Sequence, residues 1–227
     1  PIAAHMLAAC SQLDVPTRAS DRYLESHFDR YAETFETNLL HSLGYRGPSL
    51  IGQGVALVTQ AARQFATIDI GCGTGLCGTY LRPYSQHLTG VDLAGKMLEK
   101  AAATGHYDQL EKAEITDYLL RHPQSCDLVT AADTMIYFGD LENVFKAVAT
   151  VLRPGGHFVF TVEVLTPQDG VGQGHRLHAS GRYRHGRDYV RALLQAQGME
   201  PLHQRDEVLR EEVRQPVAGM LFVARRQ

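Results

Sequence analysis

A glycine-rich stretch that follows a short β-strand pattern constrains this chain more than any other feature. The stretch is DIGCGTGLCG, residues 69–78. Its end, GTGLCG, has the spacing of a dinucleotide-binding loop, whereas its beginning, DIGCGTG, places a glycine at every other position after Asp69. Glycines permit a left-handed backbone and let a ligand approach the main chain, and a helix that follows offers unpaired N–H groups. The stretch therefore predicts a strand, a loop and a helix that together bind a nucleotide-like ligand.

The same alternation of strand and helix patterns continues along the chain and indicates a parallel sheet covered on both faces. Two strand-like pieces at 199–212 and 216–226 have no helix between them, which predicts an antiparallel pair at the sheet edge. The fold class predicted is α/β, with a Rossmann-like, doubly wound, mostly parallel seven-stranded sheet, an antiparallel C-terminal strand and N-terminal lid helices. The strand patterns cover 66–70, 87–92, 110–115, 126–132 and 157–164, and the helical patterns cover 75–82, 94–105, 116–122, 141–152 and 187–198.

Two helices are predicted before the first strand. Apolar residues at steps of three and four predict a helix from Tyr23 to Leu43, which Gly44 ends. Ser49 is the expected N-cap of a second helix that runs to about Phe65. The predicted organisation is an N-terminal segment over 1–19, a helical lid over 20–65 and a ligand-binding domain over 66–227. The first segment reads as the end of a truncated repeat region.

Composition excludes some classes of function and favours others. The 227 residues carry a formal net charge of −3, so the chain lacks the basic field that is usual in nucleic-acid-binding proteins. No apolar run approaches the ~20 residues of a membrane span. The four cysteines form no CxxC pair, which favours a reducing, cytoplasmic location. His175, His178 and His185 match no common zinc spacing, and no metal is expected.

An acidic residue at the end of the second predicted strand indicates adenosine binding. Asp92 lies where a carboxylate can accept both ribose hydroxyls, although it could instead cap the helix that starts near Ala94. Asp69 lies inside the first strand, and a buried carboxylate is costly unless it has a partner. A ligand with an ammonium group would be that partner, and a nicotinamide dinucleotide offers none there. The short chain after the fifth strand also leaves little room for the second domain of a dehydrogenase.

Four motifs in register resemble those of class I S-adenosylmethionine-dependent methyltransferases: DIGCGTG, GVDLAGKMLEKA, CDLVTAADTMIYFGD and LRPGG. The flanking FDRYAETFETNLLHSLGYRGP and SGRYRHGRDYVRALL resemble a narrower group of predicted methyltransferases that are often joined to tetratricopeptide repeats. The resemblance implies S-adenosylmethionine as cofactor and upstream repeats as possible partners in a full chain. It implies cofactor contacts from Tyr31, Asp69, Gly71, Cys72, Gly73, Thr74, Gly75, Asp92, Leu93, Met97, Glu114, Ile115, Ala131 and Ala132.

Residues near the predicted strand ends are candidates for catalysis and substrate binding. Asp133, Tyr137 and His185 are the candidates for removing a proton from the acceptor, because methyl transfer to oxygen or nitrogen can require a base. Arg182, Tyr183 and Arg184 are the candidate substrate contacts, and the arginines favour an anionic group unless they form a solvated face.

The predicted function is methyl transfer from S-adenosylmethionine to an oxygen or nitrogen atom of a small molecule. Two alternatives stay open at this point. One is a protein methyltransferase, and the other is a non-catalytic S-adenosylmethionine-binding module guided by upstream repeats.

Overall fold

The computed structural model describes residues 2–31, 44–59, 62–169, 174–212 and 214–227. Strands and helices alternate through the centre of the chain, as predicted. The helices are α1 (Ile2–Ser11), α2 (Asp21–Tyr31), α3 (Gly47–Val58), α4 (Gly78–Leu81), α5 (Gly95–Thr104), α6 (Ile115–Leu120), α7 (Glu142–Val151) and α8 (Arg187–Ala196). The strands are β1 (Phe65–Ile70), β2 (Ser85–Asp92), β3 (Gln109–Lys112), β4 (Cys126–Ala131), β5 (Leu152–Val164), β6 (His175–Leu177), β7 (Tyr183–His185), β8 (Met199–Glu212) and β9 (Gln215–Arg226).

The strands form one sheet, and its topology confirms the predicted Rossmann-like class. β3, β2, β1, β4 and β5 lie side by side and parallel in that order. β9 runs antiparallel along β5, and β8 pairs antiparallel with β9, so the C-terminal pair extends the sheet as predicted. This order brings the carboxyl ends of β1, β2 and β4 to one edge of the sheet, where ligands bind in open α/β folds.

The sheet has nine strands in the part of the chain that the structure describes, rather than the seven predicted. The additional pair is the β6–β7 hairpin, which lies between the strand predicted over 157–164 and the helix predicted over 187–198. β7 pairs in parallel with Glu163 and Val164 at the end of β5. Alternate burial explains why this short segment is a strand: Tyr183 and His185 are fully buried, whereas Arg184 between them is partly exposed.

Apolar side chains pack on both faces of the sheet. On one face, Phe145 of α7 packs edge-to-face against Phe158 and Phe160 of β5. Phe160 also stacks on Phe222 of β9, with the ring centroids 5.2 Å apart. Burying each such ring stabilises the fold by roughly 1.5–3 kcal/mol. This packing holds the central strands rigid, so the loops at their carboxyl ends project from a fixed base.

The N-terminal helices differ in part from the prediction. α3 begins at Gly47 and not at Ser49, whose hydroxyl donates to the Arg46 carbonyl instead of capping the helix. α2 confirms the start of the first predicted helix, while residues 32–43 of that prediction lie outside the described residues. None of the described helices is long and apolar enough to cross a membrane.

Helix α1 packs against the β6–β7 hairpin. The His5 ring lies 2.8 Å from the Gly181 carbonyl oxygen, and the Gln12 amide donates to the Leu177 carbonyl oxygen. The Tyr183 hydroxyl donates to the Pro16 carbonyl oxygen at 2.5 Å. The segment before α2 is therefore attached to the same sheet that carries the candidate site.

Candidate active site

A cavity of about 370 Å³ lies at the carboxyl edge of the sheet, between the strand ends and helices α2 and α3. It collects most of the residues that the sequence marked for cofactor binding, catalysis or substrate contact. Those that line it are Tyr31, Gly71, Cys72, Gly73, Thr74, Asp92, Leu93, Met97, Glu114, Ile115, Ala132, Asp133, Tyr137 and Arg182. Those that do not line it are Asp69, Gly75, Ala131, Tyr183, Arg184 and His185.

The glycine loop forms the floor of the cavity with a left-handed backbone. Gly71, Gly73 and Gly75 have φ angles of 66°, 55° and 88°. A Cβ atom on Gly71 would overlap the Thr134 side chain, so a larger residue does not fit there. A Cβ atom on Gly73 would meet no atom within 4 Å, because that position faces the open cavity. The loop therefore exposes main chain to whatever occupies the cavity.

Asp92 closes the loop against the start of α5. Its two carboxylate oxygens accept hydrogen bonds from the Gly73 and Ala94 N–H groups, each at 2.9 Å. Burial raises the pKa of Asp92, and these backbone hydrogen bonds oppose that shift. α5 starts at Gly95 with Ala94 as its N-cap residue, so Asp92 does not cap the helix. Asp92 instead holds the N–H of Ala94 and lines the cavity.

Asp69 does not reach the cavity, contrary to its predicted contact with the ligand. It is 1% exposed, and its two oxygens accept hydrogen bonds of 2.8 Å from the Tyr107 and Thr130 hydroxyls. Burial raises the pKa of Asp69 to about 6, although both hydrogen bonds act in the opposite direction. Two hydroxyl groups of the protein therefore donate the hydrogen bonds for which the sequence analysis expected a ligand ammonium.

An apolar slot lies beside Asp92. Met97 is 1% exposed and packs with Ala94 and Phe28, and Leu93 and Ile115 also line the cavity. This surface suits a flat, weakly polar ring, as the resemblance implied for adenine. Glu114 borders the slot and accepts the Asp117 N–H at 2.8 Å, so it also acts as the N-cap of α6.

Cys72, which is a predicted cofactor contact in the loop, lines the cavity. Burial raises the pKa of its thiol, so the side chain stays protonated near neutral pH. Ala131 is fully buried at the end of β4, and the cavity begins one residue later, at Ala132.

The opposite end of the cavity is polar, and we call it the acceptor end. It comprises Tyr45, Asp133, Tyr137, Arg182, Arg210 and Glu212. Asp133 follows β4 and adopts a left-handed backbone with a φ of 50°, which is uncommon outside glycine. Its carboxylate accepts a hydrogen bond from Arg210 at 2.5 Å. Burial raises the pKa of Asp133, and Arg210 opposes the shift.

Arg210 is the centre of an ion-pair network behind the acceptor end. It is 3% exposed and contacts three carboxylates, those of Asp133, Glu163 and Glu212. Arg182 contacts two of the same groups, Glu163 at 2.8 Å and Glu212. Buried guanidinium groups need such partners, because an unpaired charge away from water costs several kcal/mol. Both arginines are therefore already paired without any ligand.

Three of the predicted residues that do not line the cavity belong to β7, and the geometry of that strand explains their positions. Side chains of β7 alternate between two faces. His185 is fully buried with Nε2 2.8 Å from the Phe138 carbonyl oxygen, and burial lowers its pKa to about 4. Tyr183 packs on the same face under α1, whereas Arg184 points to the other face and pairs with Asp169 at 2.8 Å. His185 therefore cannot meet a substrate proton, and Tyr183 and Arg184 make no contact with the cavity.

Several residues of the cavity were not among the sequence candidates, and four of them are His27, Tyr45, Arg210 and Glu212. Arg210 and Glu212 come from β8, where an arginine among glutamates in EVLREE was the available signal. His27 lies one residue before Phe28 on α2, and Tyr45 precedes α3. No local motif marks these four, because only the folding of β8 and the lid helices brings them to the glycine loop.

Comparisons with known proteins agree with this geometry. Residues 68–160 match the family described as "Methyltransferase domain". The chain is 33% identical over 100 residues to the ubiquinone biosynthesis O-methyltransferase of Cupriavidus pinatubonensis, which covers 42% of this chain and 40% of that enzyme. The chain thus spans less than half the length of this curated relative.

Two solved structures share the fold. An S-adenosylmethionine-dependent methyltransferase from Mesorhizobium loti has a TM-score of 0.60 and 24% identity, covering 80% of this chain and 97% of that one. The [4+2]-cyclase SpnF has a TM-score of 0.73 and 15% identity, covering 93% and 97%. At these identities the two structures define the fold alone.

The glycine loop and the strand order agree with the match of residues 68–160 to a methyltransferase domain, and they resemble those of class I S-adenosylmethionine-dependent methyltransferases. The cofactor that this class implies is S-adenosylmethionine, in agreement with the resemblance seen in the sequence.

Proposed function

We propose that the protein transfers a methyl group from S-adenosylmethionine to an oxygen atom of a small molecule. The observation that carries the proposal is one cavity with two different ends. The glycine loop and Asp92 form one end, and Asp133, Tyr137 and the paired arginines form the other. Two of the curated relatives are named as ubiquinone biosynthesis O-methyltransferases, and these names support oxygen as the acceptor atom.

The residues present fit the cofactor on two counts. The Cβ position of Gly73 is open, so a ligand can lie against the main chain there. The buried Asp92 carboxylate faces the same space and retains lone pairs that can accept ribose hydroxyls. We propose that the loop from Gly71 to Thr74 holds the amino-acid part of the cofactor, and that Leu93, Met97 and Ile115 flank its adenine.

When bound, S-adenosylmethionine supplies an electrophilic methyl group. The main task of this chain is then to place the acceptor oxygen in line with it, which can contribute up to ~7–11 kcal/mol to lowering the barrier. Tyr137 and Tyr45 keep their protons, because burial raises the pKa of each phenol, and they can donate hydrogen bonds to the acceptor. Asp133 lines the same end of the cavity and is held by Arg210, so it can bind a hydrogen-bond-donating group of the acceptor.

Binding and turnover measurements test the proposal with the purified protein. Calorimetry should show binding of S-adenosylmethionine and S-adenosylhomocysteine but not of NAD. Asp92→Ala should weaken cofactor binding at least about tenfold, because it removes the ribose contact and releases the Gly73 N–H. Asp206→Asn is the control, since Asp206 is an exposed carboxylate on β8. Tighter binding of NAD than of S-adenosylmethionine would contradict the proposal.

Conversion of labelled S-adenosylmethionine in cell extract separates the enzyme from the alternatives. Label in the small-molecule fraction supports the proposal, and label in protein supports a protein methyltransferase. Binding without any release of S-adenosylhomocysteine supports a non-catalytic module. The fold alone does not decide among them, because SpnF shares it and is a cyclase. Upstream tetratricopeptide repeats and a cytoplasmic location also remain proposals, the latter supported by four cysteines that are all free.

A further inference from the structure

The charges at the acceptor end do not cancel. Three carboxylates, Asp133, Glu163 and Glu212, face two guanidinium groups, Arg182 and Arg210. This leaves a formal excess of one negative charge. Arg184 also lies 3.7 Å from Glu163, and it pairs with Asp169 at 2.8 Å. Counting Arg184 and Asp169 together adds one positive and one negative charge, so the excess stays the same.

The cofactor end does not supply the missing positive charge. There the cavity is lined by the carboxylates of Asp92 and Glu114 and by one guanidinium, that of Arg18. Arg18 lies 2.6 Å from Asp21 and 4.0 Å from Glu114, so it too is already paired. The excess of acidic groups therefore extends along the cavity.

Two carboxylates at the acceptor end have unused hydrogen-bonding capacity. Asp133 Oδ1 has one side-chain partner among the described residues, the Thr161 hydroxyl at 3.3 Å. Glu212 is engaged through Oε1 alone, and its Oε2 has no hydrogen-bond partner among those residues. Both side chains line the cavity, so a ligand can reach these oxygens.

Aromatic rings form the remaining walls. Phe28 meets Tyr137 edge-to-face with the centroids 5.5 Å apart, and His27 lies 5.3 Å from Phe28 in the same arrangement. Tyr45 lines the cavity beside them. Such rings pack against a planar ligand and also attract a cation through their faces.

We propose that the methyl acceptor is an aromatic molecule that carries both a hydroxyl group and a cationic amine. Its ring lies among Phe28, Tyr45 and Tyr137, and its ammonium group is received by Asp133 and Glu212. This inference rests on the proposed methyltransferase function, and it replaces the anionic substrate expected from the sequence. The arginines that suggested an anion already have carboxylate partners, so an anion would have to displace those partners.

Three phenols of similar size and different charge test the inference. Tyramine is a cation, 4-ethylphenol is neutral and 4-hydroxyphenylacetate is an anion. Their affinities are measured by calorimetry on the protein saturated with S-adenosylhomocysteine. Tyramine should bind about tenfold or more tightly than 4-hydroxyphenylacetate, with 4-ethylphenol between them, because opposite charges attract strongly in a partly desolvated site.

Asp133→Asn sharpens the test by removing the excess negative charge. It should reduce the preference for tyramine over 4-hydroxyphenylacetate at least several-fold and leave the affinity for 4-ethylphenol nearly constant. Asp206→Asn removes an exposed carboxylate from β8, the strand that carries Arg210 and Glu212, and should leave the preference unchanged. Both variants are first shown by thermal melting to be folded.

The inference is overturned by equal affinities, by tighter binding of the anion or by no binding of tyramine at millimolar concentration. It is also overturned if Asp133→Asn changes the affinity for S-adenosylmethionine relative to S-adenosylhomocysteine and no phenol is discriminated. In that case the excess charge serves the sulfonium of the cofactor. Failure of S-adenosylhomocysteine to bind at all is a separate result, which would remove the proposed function itself.

Discussion

The two ends of the cavity handle buried carboxylates in different ways. Under the cofactor end, Asp69 has neutral partners, the hydroxyls of Tyr107 and Thr130, and its pKa rises to about 6. At the acceptor end, Asp133 and its neighbours are held by guanidinium groups. A carboxylate with neutral partners changes its charge near physiological pH, whereas one with a cationic partner makes the surrounding fold depend on that partner. The comparison predicts different responses to mutation and to pH at the two ends.

The largest effect is expected from Arg210→Met at the acceptor end. The substitution removes the guanidinium that pairs with Asp133 and takes one ion pair each from Glu163 and Glu212, so it should lower the free energy of unfolding by about 3–5 kcal/mol. Urea denaturation at neutral pH measures this. Arg205→Met on the exposed face of the same strand is the control and should cost less than about 1 kcal/mol. A loss as small as that of the control would mean that the network does not stabilise the acceptor end.

The next largest effect is the pH dependence of stability that Asp69 causes at the cofactor end. Asp69 has a pKa of about 6 in the folded protein, above its ordinary value of 3.8, so the folded state binds its proton more tightly. The stability that this proton supplies is complete below about pH 4 and is lost as the pH rises through 6, in total about 3 kcal/mol. Asp69→Asn should therefore gain stability relative to the wild type between pH 4 and 7.

Urea denaturation of both proteins across this pH range measures the difference. The buried His185, whose pKa is lowered to about 4, contributes with the opposite sign, but it is present in both proteins and cancels. A difference that does not change with pH would show that Asp69 is ionised throughout, as a carboxylate with a cationic partner would be.

A smaller effect is expected from Tyr107→Phe, which removes one neutral partner of Asp69. Hydrogen bonds to charged groups contribute roughly 1.5–3 kcal/mol, so the variant should lose about 2 kcal/mol at pH 8, where the carboxylate is ionised. At pH 4 the loss should be smaller, because the protonated group accepts a weaker hydrogen bond. Tyr80→Phe, at an exposed position, is the control. Equal losses at both pH values would contradict the assignment of Tyr107 as the partner of an ionising group.

The two ends also differ in how far the sequence predicted them. The loop from Gly71 to Gly75 and Asp92 form local units of a strand, a turn and a helix start, so their spacing in the sequence fixes their spacing in the structure. The acceptor end joins Asp133 after β4, Arg182 before β7 and Arg210 on β8, which are far apart in the chain. No local sequence pattern indicates that these three residues lie together, because their positions depend on the register of β9 against β5 and of β8 against β9.

The burial and the partners of individual polar side chains could not be predicted from the sequence either. His185 has a suitable ordinary pKa for a base, but the alternation of β7 turns it into the core. Asp69 appeared to need a ligand, because Tyr107 lies in the loop after α5 and nothing in the sequence marks it as a partner. The order of strands and helices followed from hydrophobic periodicity, while the β6–β7 hairpin was too short to show it.

The smallest effect on stability gives the sharpest test of the cofactor end. Gly73 and Gly105 have left-handed φ angles of 55° and 68°, and a Cβ atom on either would meet nothing within 4 Å. Replacing either glycine with alanine should therefore cost about 1–2 kcal/mol of backbone strain and no steric overlap.

The two glycines differ in position, because Gly73 lines the cavity and Gly105 ends α5 outside it. Calorimetry should show that Gly73→Ala loses affinity for S-adenosylhomocysteine at least about tenfold, since the added methyl group occupies the ligand's space. Gly105→Ala should keep that affinity, and equal affinities in the two variants would show that no ligand lies against the loop.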